Sequence, residues 1–293
     1  MATVQGLGRK IRVGEELRSV VGTMKGLAAV SIHEYEEAVE ALREYTETIE
    51  LGMQILFAAR PEAVPRRRRA AGRAGAVVIG TDQGLCGPLN RDIARAAVRW
   101  FSEEEVPPGD RVVASLGVRA ARELELAGSQ VDHRPMLPES VESIAAAVED
   151  LLPMIDEWRA SRGVSRVVII FHHPVRRTQR TVRVFQVLPP DARRFASIAG
   201  RRWPTRMLPG FPHPWIELLR GLVRQDLFIA LYRAIAEAKA AEHGARLAAM
   251  QAAEQNIDER LAELRTDYRQ LRQAEITAGL LDVVSGYEAL RGR

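Results

Sequence analysis

Along residues 1 to about 60, apolar side chains recur at alternating intervals of four and three. Leu17, Val21, Met24, Ala28, Ser31, Tyr35, Ala38, Leu42, Tyr45 and Ile49 hold this spacing, and only Ser31 among them is polar. A heptad seam sustained this far predicts a coiled-coil helix rather than an ordinary surface helix. No proline interrupts it before Pro61. At ~1.5 Å per residue such a helix spans roughly 70 Å, too long to be enclosed by a small domain.

The other end of the chain has the same character. Leu227, Leu231, Ala234, Ala238, Ala241, Ala245, Ala248 and Ala252 continue the spacing with small side chains, and no proline follows Pro214. A phase break near Gln255 to Ile257 leads into Ile257, Leu261, Leu264, Tyr268 and Leu271. A second leads into Ile276, Leu280, Val283, Tyr287 and Leu290. Breaks of this kind change the supercoil twist locally. The economical arrangement pairs the two terminal helices antiparallel, with the middle of the chain inserted between them.

That middle holds most of the prolines and alternates strand and helix patterns. Strands are expected at Ala76–Thr81, Arg111–Leu116, Arg166–Phe171 and Thr181–Leu188. Helices are expected at Asn90–Phe101, Arg119–Ala127 and Val141–Trp158, the last carrying Pro153. The fourth strand has the alternating pattern of a hairpin partner for Val167–His172. The predicted fold class is α/β, doubly wound with a mostly parallel sheet, set on a long antiparallel coiled coil. The expected division is 1–60, 61–210 and 211–293.

Composition narrows the chemistry. The net charge of +4 arises from 42 basic and 38 acidic residues that are interspersed, which permits nucleic-acid binding without requiring it. A single cysteine forbids an internal disulfide and a cysteine-based zinc site, and suits a reducing compartment. The N-terminus lacks a signal-peptide pattern, and no apolar run approaches the ~20 residues of a membrane span. These features fit a cytosolic protein, including one attached to a membrane machine.

The stretch Thr81-Asp82-Gln83-Gly84-Leu85-Cys86-Gly87-Pro88-Leu89-Asn90 joins a strand to a helix, where many proteins bind phosphate. It lacks the Gly-Lys-Ser/Thr of a P-loop and the three-glycine spacing of a dinucleotide fingerprint, so a structural or docking turn fits it better. Cys86 as a nucleophile would need a base, and the spacing selects none of His133, His172, His173, His213 and His243. His172 and His173 as metal ligands lack an accompanying carboxylate cluster, and read as surface or loop histidines. Arg66 to Arg69, between Pro65 and Gly72, form a basic run that suits a solvated linker, an acidic lipid surface or nucleic acid. No triad, zinc pattern or pair of catalytic carboxylates stands out. A small nucleotide-binding enzyme with a coiled-coil arm is the alternative reading.

Three stretches together are more specific. Gly84-Leu85-Cys86-Gly87 resembles a segment of the gamma subunit of rotary F-type ATP synthases. Leu231-Tyr232-Arg233-Ala234, Glu242-His243, Ala245-Arg246 and Met250 resemble that family's C-terminal helix, as do Arg272-Gln273, Ile276-Thr277 and Val284-Ser285-Gly286. Thr23-Met24-Lys25 with Ala28-Ala29 sits where the family has its Met-rich helix. The resemblance covers essentially the whole chain.

It implies an antiparallel coiled coil bearing an inserted Rossmann-like α/β domain, and the role of central rotor shaft. The implied partners are the alpha and beta subunits of the catalytic hexamer, the epsilon subunit and the membrane rotor ring of c subunits. The subunit so implied is non-catalytic and carries no cofactor, metal or catalytic residue of its own. It transmits torque between an ion-driven ring and sites elsewhere that make ATP. It would be peripheral on the cytoplasmic side of the bacterial inner membrane. By the same resemblance Met24, Lys25, Arg272, Gln273 and Thr277 contact the hexamer, and Gly84, Leu85, Cys86 and Gly87 lie near epsilon and the ring. Most family members carry a basic run after the N-terminal Ala-Ala, whereas Val30 to Glu37 here is acidic. That departure resembles the divergent branch called alternate, or N-type.

Overall fold

A computed structural model describes residues 3–65, 72–176, 178–203, 205–207, 209–211 and 214–291. Arg66 to Arg69 and His213 lie outside the described residues. The elements are α1 (Val4–Ala59), β1 (Arg73–Ile79), α2 (Leu89–Glu103), β2 (Arg111–Leu116), α3 (Val118–Leu126), α4 (Ile144–Arg162), β3 (Val164–Arg176), β4 (Gln179–Leu188), α5 (Ala192–Ala199) and α6 (Trp215–Arg291). Residues divide into two compact units. Unit 1 is Met1–Ala28 with Leu247–Arg293, and unit 2 is Ala29–Arg246.

Unit 2 is built on a four-stranded sheet in the order β2-β1-β3-β4. β1 pairs in parallel with β2 and β3, and β3 pairs antiparallel with β4 through Val168–Gln186, Ile170–Val184 and His172–Val182. β1 is buried along nearly its whole length because both faces of the sheet are covered. Ala74, Ala76 and Val78 turn to one side, where Ile93, Ala97, Phe101 and Leu124 of α2 and α3 complete a core. Val77 and Ile79 turn to the other, where Ile155 and Trp158 of α4 pack with Leu231, Ala234 and Ile235 of α6. A third cluster joins Ile49, Met53, Leu56 and Phe57 of α1 to Phe195 and Ile198 of α5, an eight-residue helix that the apolar pattern did not announce.

Within unit 2, α1 and α6 run antiparallel. Tyr35 stacks on His243 with ring centroids 5.7 Å apart, the Tyr45 hydroxyl donates to Gln225 Oε1 at 2.8 Å, and the Leu222 side chain lies over Gly52. Positions numbered upward on α1 meet positions numbered downward on α6. Unit 1 has the same polarity. The Leu261 side chain lies so close to Gly14 that a Cβ there would be 2.7 Å from Leu261 Cδ2, and Arg18 pairs with Asp258, Lys25 with Glu254 and Glu15 with Arg265.

The seam differs from the expected one in alternate positions. Ala28, Tyr35 and Ile49 are buried, but the intervening buried or half-buried positions are Ile32, Val39, Thr46 and Met53. Ser31 and Ala38 are half-buried neighbours, while Leu17 and Tyr45 are exposed. Shifting each second position by one residue replaces the polar Ser31 with Ile32, which is 2% exposed. On α6 within unit 1, Ala252 is exposed and Ala253 and Glu254 turn inward, so the phase break comes about a turn before Gln255. Ile257, Leu261, Leu264, Tyr268 and Leu271 are buried or half-buried as the pattern predicts. Ile276, Leu280 and Val283 are exposed.

The shifted seam gives a direct test. Ile32→Ala should cost about 2–5 kcal/mol in denaturant unfolding, as buried large-to-small changes do. Val30→Ala, two residues away and 59% exposed, should stay within about 0.5 kcal/mol.

Candidate functional site

The turn from β1 to α2 is held from inside. Thr81 N donates to Asn90 Oδ1 at 3.0 Å, and Asn90 Nδ2 donates to Thr81 Oγ1 at 2.8 Å. That hydroxyl in turn donates to Gln83 O at 2.7 Å. Asp82 Oδ1 accepts from Val118 N at 2.8 Å, tying the turn to the start of α3. Thr81 and Asn90 are both buried, so their polar atoms must find partners within the protein, and they find each other. A phosphate cradle needs free backbone N–H groups at this position, and Asn90 already occupies that of Thr81.

The glycines serve close approach and positive φ. A Cβ on Gly80 would lie 2.2 Å from Ala120 Cβ, and one on Gly117 would lie 2.6 Å from Thr81 N at a φ of +100°. Gly87 has φ +64°, and Leu85 adopts φ +63° although it bears a side chain. That conformation is uncommon for a leucine, and the side chain is left 59% exposed. Gly84 has Arg119 against it.

Cys86 is 2% exposed and packs with Leu89 and with Ala245 of α6. Its Sγ lies 3.8 Å from Gln83 O and 3.9 Å from Thr81 Oγ1, and no histidine bonds it among the described residues. In open α/β sheets, ligands enter the crevice at the carboxyl ends of the strands where strand order reverses, here beside β1. Next to the end of β1, α6 presses Ala245 onto Cys86 and Leu89. Arg246 Nη2 reaches Gly84 O at 3.5 Å. The chain's own helix fills the crevice beside β1.

The charged residues of α6 between Ala234 and Arg246 are paired, whereas Arg233, one residue before, leaves its buried Nε without a hydrogen-bond partner. Glu242 accepts from Arg246 at 2.6 Å and from Lys239 at 3.1 Å, and all three are buried. Arg246 Nη1 lies 3.3 Å from His243 Nδ1. Arginine only donates, so Nδ1 is the acceptor and this nitrogen is unprotonated. Burial pushes the His243 pKa down from 6.5 to about 4; Glu242 opposes that shift, and Lys239 and Arg246 add to it. Beside this network an open cleft of about 700 Å³ is lined by Tyr35, Gln83, Glu139, Lys239, His243 and others.

The paired histidines are not the surface residues the sequence suggested. His172 is buried, and its Nε2 donates to Leu89 O at 2.9 Å, whereas half-buried His173 meets Glu237 at 2.6 Å. Successive residues of a strand face opposite ways, so the two cannot share a metal. Burial lowers the His172 pKa, the bond to Leu89 opposes it, and Arg180 adds to the lowering. No group of residues suited to holding a metal occurs among the described residues.

The residues expected to meet partners separate by unit. In unit 1, Met24 is half-buried, Lys25 is ion-paired to Glu254, and Arg272, Gln273 and Thr277 are exposed on α6. The Thr277 hydroxyl donates to Gln273 O at 2.9 Å. In unit 2, Leu85 and Gly87 are exposed, Gly84 is half-buried and Cys86 is buried. The anchors Thr81, Asn90, Gly117 and Arg246 were not singled out as site residues from the sequence; the polar Thr81 and Asn90 flanking a glycine turn were the available signal.

The class so defined is an α/β unit with a mostly parallel sheet whose crevice is closed by the chain's own terminal helix. The family model described as ATP synthase matches residues 3–290. The chain belongs to the ATP synthase gamma chain family. It is 31% identical to the ATP synthase gamma chain of Anaeromyxobacter sp. (strain Fw109-5) over 310 aligned residues, covering 99% of this chain and all of that one. It is 26% identical to that of Syntrophus aciditrophicus (strain SB), with 99% of each covered. Among solved structures, a chain of the Euglena gracilis mitochondrial ATP synthase shares the fold at a TM-score of 0.63 and 17% identity, over 98% of this chain and 94% of that one. A chain of the Tetrahymena thermophila central stalk and c-ring structure does so at 0.58 and 16%, over 80% and 99%.

Two outcomes follow from the site. Gly117→Ala should destabilise by more than about 2 kcal/mol, since it combines a positive φ with a backbone clash, while Cys86→Ala should cost about 1 kcal/mol in thermal unfolding. His243 is harder to protonate in the folded chain than in the unfolded one. Its contribution to stability is therefore complete above about pH 6.5 and is lost as pH falls toward about 4. A His243→Gln variant should show a flatter stability–pH curve across that window.

Proposed function

We propose that this chain is the central rotor subunit of a rotary F-type ATP synthase, transmitting torque between a membrane ion-driven ring and the catalytic alpha/beta hexamer. The observation that carries this reading is the surface of unit 1. On α1, Val13, Leu17, Val20 and Leu27 are 47–65% exposed, and on α6 so are Ile276, Leu280, Leu281, Val283 and Val284 to a similar or greater degree. One aliphatic row lies on the outward side of α1 where it is already paired with α6, and the other on the stretch of α6 after Leu271 where every described side chain is exposed; both mark a surface meant to be covered. A catalytic hexamer surrounding these helices would cover it.

A rotating subunit changes a catalytic site only by contacting its conformations differently. An asymmetric pair of helices presents different side chains to each of three beta subunits at any angle. Met24, Lys25, Arg272, Gln273 and Thr277 are the proposed contacts to the hexamer. Lys25 reaches a partner carboxylate only by sharing its charge with Glu254, whereas Arg272 and Gln273 are exposed to bind outward. Gly84, Leu85, Cys86 and Gly87 form the proposed contact to epsilon and the c-subunit ring. Leu85 would make that contact and buried Cys86 would hold the turn. Nucleotide is bound and made on the partners. Residues 1–60 and 211–293 are the proposed shaft and 61–210 the proposed foot.

No described helix is long and apolar enough to cross a membrane. The location proposed is peripheral, on the cytoplasmic side of a bacterial inner membrane. The acidic run from Val30 to Glu37 is the feature behind a proposed place in the alternate branch.

Co-expression with alpha and beta subunits should yield a hexamer containing one copy of this chain; a stable complex of any other stoichiometry overturns the reading. Truncation before Arg272 should reduce ATP-driven ion pumping more than ATP hydrolysis. The circular dichroism of unit 2 should survive it.

A further inference from the structure

The outer face of α2 carries Arg91, Arg95 and Arg99, one per turn, and all three are exposed. At ~1.5 Å per residue the row places a guanidinium about every 6 Å. α3 packs beside α2 and adds exposed Arg122. Among the described residues none of the four forms an ion pair. The nearby acids are largely committed elsewhere. Asp92 faces Arg180, Glu104 pairs with Arg166 and Glu125 pairs with Arg134. Glu103, one turn beyond Arg99, and Glu123, beside Arg122, form no ion pair among the described residues.

A solvated helix face normally mixes signs at intervals of three and four, because opposite charges at that spacing stabilise a helix and like charges destabilise it. α1 follows that rule on its exposed side, where Arg43 lies between Glu40 and Glu47. The α2 row sets three arginines four residues apart, with an acid at that spacing only at its end, Glu103, while Asp92 faces Arg180. The whole chain carries a net charge of only +4, so four arginines beside few free acids leave this face net positive.

We propose that the α2–α3 layer is a docking face for an acidic helix of a partner protein, with carboxylates one turn apart matching Arg91, Arg95 and Arg99. The face carries none of the residues assigned to the hexamer, epsilon or the ring, so it is a contact additional to the proposed function. Guanidinium groups form bidentate bonds to carboxylates and are enriched at protein interfaces. Nucleic acid fits less well, since binders of single strands set aromatic rings beside their cations, and Trp100 and Phe101 of α2 are buried. A bilayer fits less well too. Membrane-surface helices expose a continuous apolar face. Ile93, Ala94 and Ala97 are turned into the sheet, and the exposed Val118 and Leu126 stand singly at the two ends of α3.

The test uses the full chain, or the assembled complex, with a fluorescent helical peptide bearing glutamates at positions i, i+4 and i+8. The controls are a scrambled peptide of equal charge, a short DNA duplex and vesicles containing an anionic lipid. Micromolar binding of the patterned peptide is expected, weakening several-fold as salt rises because the Debye length shortens. Arg91→Ala/Arg95→Ala/Arg99→Ala should lose at least tenfold in affinity. Arg43→Ala/Arg159→Ala, which removes exposed arginines elsewhere, should not. The triple variant should melt no lower than the parent, because like charges have been removed. Equal binding of the scrambled peptide, tighter binding of DNA or vesicles, unchanged affinity of the triple variant, or a clear fall in its Tm would each overturn the proposal. None of these results depends on whether the chain assembles with alpha and beta subunits, so the proposed function stands or falls separately.

Discussion

Between Ala234 and Arg246, α6 is buried on every side, with only His243 partly open to solvent. Much of unit 2 follows from enclosing a helix this fully. A helix in contact all round must present small side chains, and Ala234, Ala236, Ala238, Ala240, Ala241 and Ala245 meet that condition. It must also neutralise whatever charge it carries, because an isolated buried charge is far costlier than a paired one. Glu242 is therefore held between Lys239 and Arg246, and Glu237 meets His173. The same enclosure brings Ala245 onto Cys86 and Leu89, which closes the crevice beside β1. The packing of the helix and the closing of the crevice have one cause.

The enclosed network also gives the β1–α2 turn its stiffness. Thr81, Asn90 and Asp82 fix the turn from the sheet side, and Arg246 reaches it from the helix side. Leu85 can then remain at a positive φ with its side chain outward, a conformation that persists only where the surroundings over-determine it. A turn anchored on two elements moves with both. Leu85 is thus joined to α6 through packed atoms and hydrogen bonds.

What the sequence disclosed followed the strength of its periods. β2 was legible to the residue, and the other strands and helices to within a few, because alternation and amphipathic spacing are local properties. α5 was not, since Ala192–Ala199 is short, lies between prolines and glycine, and becomes helical through packing of Phe195 and Ile198 on α1. The seam of α1 was legible in its heptad-related positions Ala28, Tyr35, Leu42 and Ile49. It was ambiguous between them because this helix carries two apolar rows, and Leu17 belongs to the outward one. His172 and His173 were misread because burial is set by the tertiary fold: α2 covers one and α6 the other. The closed crevice required Ala245, some 160 residues from Cys86, and no local spacing in the sequence links them.

The two rows of α1 bear on how one pattern can serve two ends. In unit 2 the α1–α6 pair is backed by the sheet and by α4, and its inward side chains are covered by the same chain. In unit 1 the chain supplies only the two helices, which bury Leu7, Ala28, Leu261 and Leu264 against each other and leave Val13, Leu17, Val20 and Leu27 outside. A pair of helices has one shared seam, so a second aliphatic row gains nothing from the partner helix. Exposure of that row costs about 25 cal/mol for each Å² left in water, a cost without return unless other chains cover it. The enclosed segment uses alanine, where its own sheet closes in, and the uncovered one uses valine and leucine. On α6 the small side chains mark the face enclosed by its own chain, while on α1 in unit 1 the outward valines and leucines mark a face this chain does not cover.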